Sequence, residues 1–273
     1  MSRKLHNLPF RAARWLLGRP GAMLLLARDE ALAAEPPQRF RRAWLELAAG
    51  GLGWGVTLTF VWGAAWRIFG GHHWDNPYLP APAAVTLAFF CLGPFAPAVA
   101  GLARQIGGAS AERRATATAV IVVGLAMCLL RLHPDWHRGE PFDLPWWIGW
   151  VRPQAKLYRV LLLMPAWGSW SMLVTPMFCQ PSERTEPQVS ALARGCDAIA
   201  VAAVMGVLLA ISIFHFHYLG LGGQVSIPLT AVVVGVVGGA VFCRLSGGLC
   251  RRALLSANLT TQIALILAYL AAR

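Results

Sequence analysis

A short basic turn between two apolar runs holds the residue types best suited to binding phosphate. The runs cover about residues 227–242 and 253–272. Arginine side chains bind phosphate through paired N–H donors, and the open backbone N–H groups of a glycine turn add further donors. The alternative interpretation is ordinary positive charge between two membrane spans. The candidate ligand-binding residues of this turn are Arg244, Gly247, Gly248, Arg251 and Arg252.

The apolar run after the turn carries a polar stripe. Polar side chains at membrane depth cost free energy unless they face protein or a water-filled cavity. We therefore expect the stripe to mark a working centre, and we add Asn258 and Gln262 to the candidate ligand-binding residues. The stripe as a whole consists of Ser256, Asn258, Thr260, Thr261 and Gln262.

Histidines cluster where the topology given below places the outer face of the membrane. Imidazole and carboxylate groups together can bind zinc or another divalent metal. The alternative is that histidine tolerates the membrane interface as tryptophan and tyrosine do, and the spacing matches no defined metal motif. The candidate metal ligands are His72, His73, Asp75, His133 and His137.

Acidic residues are scarce in this chain. There are 12 of them, and only Glu46 falls near the core of a predicted span. Magnesium is held through carboxylates beside substrate phosphates, and no aspartate pair at helical spacing occurs. The sequence therefore argues against a conventional magnesium site. It also contains no P-loop, dinucleotide fingerprint, catalytic triad or HExxH motif, which removes support for soluble-type nucleotide chemistry.

The composition predicts a membrane protein. Hydrophobic residues make up 57% of the 273 residues and charged residues only 13%, whereas a soluble domain carries roughly 25% charged residues. The net charge of +12 is not a nucleic-acid footprint, because the basic residues lie mostly at the ends of apolar runs. There they face anionic lipid headgroups.

The apolar runs predict an all-α bundle of about seven transmembrane helices in the cytoplasmic (inner) membrane. Residues 1–43 form a basic amphipathic arm on the cytoplasmic surface, where its cations bind anionic headgroups, and residues 44–273 form the transmembrane domain. Loop charges place the N-terminus inside and the C-terminus outside. The predicted spans are residues 44–69, 82–103, 115–132, 160–178, 198–217, 227–242 and 253–272.

The six cysteines show no C-x-x-C pair. Most of them fall within or beside apolar runs. We interpret them as small buried hydrophobic residues and not as a disulfide framework.

The final stretch resembles the C-terminal signature of cobalamin (5′-phosphate) synthase, also called adenosylcobinamide-GDP ribazoletransferase. In that family a basic residue and Leu lead into Gly-Gly-x-Thr-Gly-Asp and then Asn-Glu-Leu-Thr-Glu before a last apolar helix. The run Met164–Trp170 is similar to the family's Pro-x-x-Gly-Arg-Trp. The resemblance covers the chain from about residue 159 onward. The residues in register are Arg244, Leu245, Gly247, Gly248, Leu254, Ala257, Asn258, Thr261 and Gln262.

The chain departs from this signature at the acidic positions. Arg252 replaces the aspartate of Thr-Gly-Asp, and Leu259 and Gln262 replace the two glutamates. A guanidinium in place of a carboxylate reverses the local field and repels a metal ion. The resemblance therefore implies a divergent or inactive homologue that binds a phosphorylated or amphiphilic ligand. If activity is retained, it implies a Mg²⁺-dependent transferase acting on GDP-cobinamide.

Two other classes of function fit the same sequence. A small transporter or channel would use the polar stripe of the last helix to line its path. A non-catalytic membrane scaffold subunit would use the N-terminal arm as its docking surface.

Overall fold

A computed structural model describes residues 19–27, 29–69, 80–93, 95–132, 156–181 and 185–273. All regular secondary structure in these ranges is helical, which confirms the all-α prediction for this part of the chain. Short 3-10 helices cover Pro37–Arg42 and His217–Leu219. The α-helices are α1 (Pro20–Leu26), α2 (Asp29–Ala33), α3 (Ala43–Phe69), α4 (Pro80–Leu92), α5 (Ala96–Gly107), α6 (Ala111–Leu132), α7 (Lys156–Phe178), α8 (Pro187–Gly195), α9 (Ala198–Phe216), α10 (Gly220–Ser246) and α11 (Arg251–Ala272).

Five helical segments among the described residues are long and apolar enough to cross a membrane. The bent pair of α4 and α5, which meet at 72°, makes a sixth when it is counted as one span. The sequence-based number of seven treats residues 198–246 as two spans, whereas the count above takes them as one continuous helical run of 49 residues. The five segments are Pro37–Phe69, Ala111–Leu132, Lys156–Phe178, Ala198–Ser246 and Arg251–Ala272.

The 49-residue run reverses its direction near the middle. Its first half, α9, is antiparallel to α7, because Arg159 donates to the His215 carbonyl and Trp170 Nε1 donates to the Val201 carbonyl, each at 3.2 Å. The second half begins at Gly220, whose φ of +70° is a conformation that glycine adopts readily and other residues do not. The short 3-10 turn before this glycine joins the two halves.

Helix α10 runs parallel to α7 through two small residues. Gly235 lies against Trp170, and Gly239, one turn later, lies against Thr175. A Cβ atom at Gly239 would lie 2.3 Å from the Thr175 hydroxyl, so only glycine permits this approach. The G-x-x-x-G pattern of α10 is thus a helix-packing face. Because α9 and α10 cross α7 in opposite senses, they run antiparallel to each other.

Helix α7 is the centre of the bundle. In its most apolar stretch 89% of the residues are buried, a larger share than in any other candidate span among the described residues. Helices α3, α9, α10 and α11 all pack against it. Its buried hydroxyl groups bond within the helix: Ser171 donates to the Gly168 carbonyl and Thr175 to the Ser171 carbonyl, each at 2.7 Å. These bonds lower the cost of placing hydroxyls at this depth.

Helix α3 approaches α7 through a second pair of glycines four residues apart. A Cβ atom at Gly51 would lie 2.8 Å from Ala166 Cα, and one at Gly55 would lie 2.0 Å from the Leu162 carbonyl oxygen. Such distances are below van der Waals contact. The two backbones therefore touch directly, as small-xxx-small interfaces allow in membranes.

We predict that Gly55→Ala lowers the free energy of unfolding by about 1–3 kcal/mol, because the added methyl group forces α3 away from α7. Gly53→Ala is the matched control: no atom lies within 4 Å of a Cβ there, and alanine favours the helix by up to about 1 kcal/mol. Thermal unfolding of both variants in one detergent measures the difference. Equal midpoints for the two variants would contradict this packing.

Candidate functional site

The N-terminal arm is attached to the bundle by the side chain of Arg251. This first residue of α11 is 4% exposed. Its Nε donates to the Leu24 carbonyl at 2.8 Å, its Nη2 to the Ala27 carbonyl at 2.6 Å and its Nη1 to Asp29 at 2.6 Å. The last carbonyls of a helix lack partners within it, so the guanidinium caps the C-terminal end of α1. The arginine expected to bind a ligand therefore binds the protein's own arm.

The other end of α1 is capped by a carboxylate. The backbone N–H of Gly21 donates to Oε2 of Glu46 in α3 at 2.8 Å. Helix N-termini carry partial positive charge and C-termini partial negative charge, so Glu46 and Arg251 both complement α1. Between these caps Leu24 is fully buried. This part of the predicted arm is consequently folded into the bundle, while residues 1–18 lie outside the described residues.

The start of α11 is held from the side by the segment that precedes α8. The backbone N–H of Arg251 donates to Oε2 of Glu186 at 3.1 Å, and the hydroxyl of Thr185 donates to the Leu249 carbonyl at 2.7 Å. Arg251 is therefore fixed through both its backbone and its side chain. Its position is set before any ligand binds.

A disulfide joins Cys179, just after α7, to Cys243 in α10. The interpretation of all six cysteines as unpaired is wrong for these two, whose separation of 64 residues gives no local signal. Cys91, Cys128 and Cys196 are buried free thiols, as predicted. Burial raises the pKa of Cys196 to about 11, so this thiol stays protonated at neutral pH.

A cleft of about 390 Å³ opens where the arm meets α5 and α11. Its apolar part is made of small or aliphatic residues, and its charged part contains three arginines and three acids. A volume of this size lies within the range of small-molecule sites. The apolar residues are Ala27, Pro97, Ala100, Gly101 and Leu255, and the charged residues are Asp29, Glu30, Arg104, Glu186, Arg251 and Arg252.

The charged residues of the cleft fall into two groups. Asp29 and Glu186 are bonded to Arg251, as described above. Arg104, Arg252 and Glu30 form no side-chain hydrogen bond or ion pair with any residue that the structure describes, and all three are exposed. The second group is therefore available to a ligand. Of the predicted basic residues, Arg252 is the one that faces the cleft without a protein partner.

The glycine turn lies beside the cleft and does not line it. Gly247 adopts φ +74° and its N–H bonds back to the Arg244 carbonyl at 3.2 Å, while the Gly248 N–H bonds to the Cys243 carbonyl at 2.9 Å. These N–H groups end α10 in the way that glycine-ended helices commonly do. They are consequently occupied and do not form an open phosphate cradle. The Arg244 side chain is exposed.

Asn258 and Gln262 lie in the core between α7 and α11, beyond Leu255, the last residue of α11 that lines the cleft. Gln262 Nε2 donates to Asn258 Oδ1 at 2.5 Å, and Asn258 Nδ2 contacts the Met172 sulfur at 3.4 Å. A Cβ atom at Gly168 would lie 2.7 Å from Gln262 Cγ, so this glycine makes room for the amide. Gln262 Oε1 has no hydrogen-bond partner among the described residues. The stripe thus packs two helices together.

The predicted histidine site cannot be located, because all its residues lie outside the described ranges. Within those ranges no three His, Cys, Asp or Glu side chains come together to hold a metal ion. The residues concerned are His72, His73, Asp75, His133 and His137.

Magnesium, which the resemblance implies for an active transferase, does not fit the described cleft. Asp29 is paired with Arg251, and Glu186 accepts the backbone N–H of the same residue. Arg104 and Arg252 share the lining. A divalent cation would have to displace these bonds in the presence of three like charges. The side chains of this cleft are instead suited to hold an anionic group.

Sequence reasoning missed four acids and one base of this site. Glu46 is the single acid at the start of a predicted span. Its position indicates a partner within the protein, because an acid at that depth needs one. Nothing in the sequence linked Arg104, Asp29, Glu30 or Glu186 to residue 251, which lies far from them along the chain.

Comparison with known proteins finds no matching protein-family model, no matching curated protein and no matching solved structure.

We predict that Arg251→Lys lowers the free energy of unfolding by about 2 kcal/mol or more, because one ammonium cannot replace the forked bonds to the end of α1. Asp29→Asn should cost under about 1 kcal/mol, since this carboxylate is 82% exposed and exposed ion pairs contribute little. Chemical unfolding in detergent gives both values. A larger loss for Asp29→Asn than for Arg251→Lys would show that the ion pair, and not the carbonyl cap, holds the arm.

Proposed function

We propose that this protein is a multi-pass protein of the cytoplasmic membrane that binds a phosphorylated amphiphile in the cleft between its N-terminal arm, α5 and α11. It is a divergent relative of the ribazoletransferase family that kept the helical scaffold and lost the metal-dependent transfer. The observation that carries this proposal is the pair Arg104 and Arg252, which have no protein partner among the described residues and lie beside small apolar residues.

The chemistry of the lining supports a phosphate ester. Guanidinium groups offer several N–H donors in one plane and bind phosphate oxygens in a bidentate manner. Ala100 and Gly101 also line the cleft, and residues this small leave room for the ligand. Leu255 and Pro97 add apolar surface on which the hydrocarbon part of an amphiphile can lie.

The cleft lies at the end of the helices where we place the cytoplasm. Helices α9 and α10 run antiparallel. Counting them separately, and α4 with α5 as one bent span, gives seven crossings, which agrees with an N-terminus inside and a C-terminus outside. Arginines collect at this end, which fits the positive-inside rule and contact of the arm with anionic lipid headgroups. A soluble or membrane-borne phosphate compound can reach such a position.

The alternatives receive less support from the described residues. A transporter path along the polar stripe would need space beside Asn258 and Gln262, yet both are buried between α7 and α11. A scaffold that docks through its arm would leave the arm accessible, whereas α1 is capped at both ends by the bundle.

The binding test uses the purified chain in nonionic detergent, titrated calorimetrically with short-chain phospholipids of several headgroups and with uncharged diacylglycerol. At least one phospholipid should bind, and Arg104→Gln and Arg252→Gln should each weaken it about tenfold, or about 1.4 kcal/mol. Arg244→Gln is the control, since that exposed arginine does not line the cleft. The proposal fails if no phospholipid binds better than diacylglycerol.

The loss of transfer chemistry has its own test. Purified protein supplied with GDP-cobinamide, α-ribazole phosphate and Mg²⁺ should form no cobalamin phosphate, because the described cleft offers no free set of carboxylates for the ion. The product is measured by mass spectrometry beside an active member of the family. Turnover that Mg²⁺ supports and EDTA removes would overturn this part of the proposal.

A further inference from the structure

Among the described residues, the cleft contains one acid and two arginines whose side chains have no protein partner. Glu30 lies in α2, on the arm side, whereas Arg104 belongs to α5 and Arg252 to α11. We propose that the ligand carries an ammonium group in addition to its phosphate, so that it is a zwitterionic phosphate–amine of the phosphoethanolamine class. This inference rests on the proposed function and names the ligand class of the same site.

The residues that line the cleft are balanced in charge. Among the residues that the structure describes, three arginines and three acids line the cleft, so their formal charges sum to zero. A site built only for an anion would carry excess positive charge, because each acid nearby opposes the binding of phosphate. A balanced site favours a ligand that is itself neutral overall and has separated charges.

Some of the charged residues that line the cleft are already bonded to other residues of the protein. Arg251 bonds to Asp29 through its side chain and to Glu186 through its backbone N–H, so these three residues already have partners within the protein. The remaining groups are two bases that suit one phosphate and one acid that suits one ammonium. The three remaining residues are Arg104, Arg252 and Glu30.

Glu30 and the two arginines lie on different walls of the cleft. Glu30 is carried by the arm and the two arginines by the bundle, so a ligand with charges at both ends would bridge the two. A phosphate without an amine would leave Glu30 facing the bound anion. Such an unfavourable pairing is a means of excluding the wrong ligand.

The same headgroup chemistry occurs in a membrane phospholipid and in a soluble ester. The experiment therefore titrates the full-length chain in nonionic detergent with short-chain phosphatidylethanolamine, with phosphatidylglycerol of the same chains, and with soluble glycerophosphoethanolamine. Wild-type protein should bind phosphatidylethanolamine about tenfold more tightly than phosphatidylglycerol. Binding of the soluble ester with comparable affinity identifies a soluble ligand, and binding of the lipid alone identifies a membrane ligand. Both results support the proposal.

Variants then assign the preference to one residue. Glu30→Gln should remove the preference by weakening phosphatidylethanolamine about tenfold while phosphatidylglycerol binds at least as well as before. Glu112→Gln, which changes an exposed acid outside the cleft, should keep the wild-type preference. Arg252→Gln should weaken both lipids by a similar factor, since both carry the phosphate.

The outcomes separate this inference from the proposed function. Equal affinity of the wild-type protein for the two lipids, with both weakened by Arg252→Gln, would overturn the zwitterion inference and leave the phosphate site standing. A preference that survives Glu30→Gln would also overturn it. Absence of binding to every phosphate-bearing compound would remove both proposals. The wild-type comparison needs no variant, so the inference is decided even where a substitution impairs folding.

Discussion

The contact on which the site depends is the one between the Arg251 guanidinium and the last carbonyls of α1. A seven-residue helix is too short to be stable alone, and this one exists because Glu46 caps its start and Arg251 caps its end. Because Asp29 and Glu30 follow α1 closely in the chain, the cap also sets the position of the acidic wall of the cleft. Glu186 fixes the same arginine from the backbone side. The cleft is therefore a consequence of how the arm is held.

The rest of the bundle supplies a rigid frame for that contact. Lipid does not drive helices together as water does, so close backbone contact and small residues carry the association. Around α7 this role falls to Gly51 and Gly55 on α3, to Gly235 and Gly239 on α10, and to α7's own Gly168 against α11. Because α11 is held along its length by α7, its first turn presents Arg251 and Arg252 at a fixed position.

The two consecutive arginines at the start of α11 have different surroundings. Successive residues on an α-helix point about 100° apart, so Arg251 is buried against the arm while Arg252 is exposed to the cleft. Where the ribazoletransferase signature has an aspartate, Arg252 presents a cation. Under the proposed function, this cation contacts the phosphate of the ligand directly.

The sequence by itself indicated an all-α fold in a lipid environment, because composition and the length of apolar runs decide whether helices lie in lipid. It also singled out the arginines and the polar stripe beside the last apolar runs as candidate binding residues, since polar groups there are costly without a partner. It could not assign roles within that region. Arg251 and Arg252 are chemically identical, and Cys179 and Cys243 carry no pairing signal. Only the tertiary structure decided that Arg251 caps α1, that Asn258 and Gln262 pack between helices, and that Glu30 joins Arg104 in one cleft. The physical reason is that these roles depend on contacts between residues far apart along the chain, and such contacts are set by the packing of whole helices.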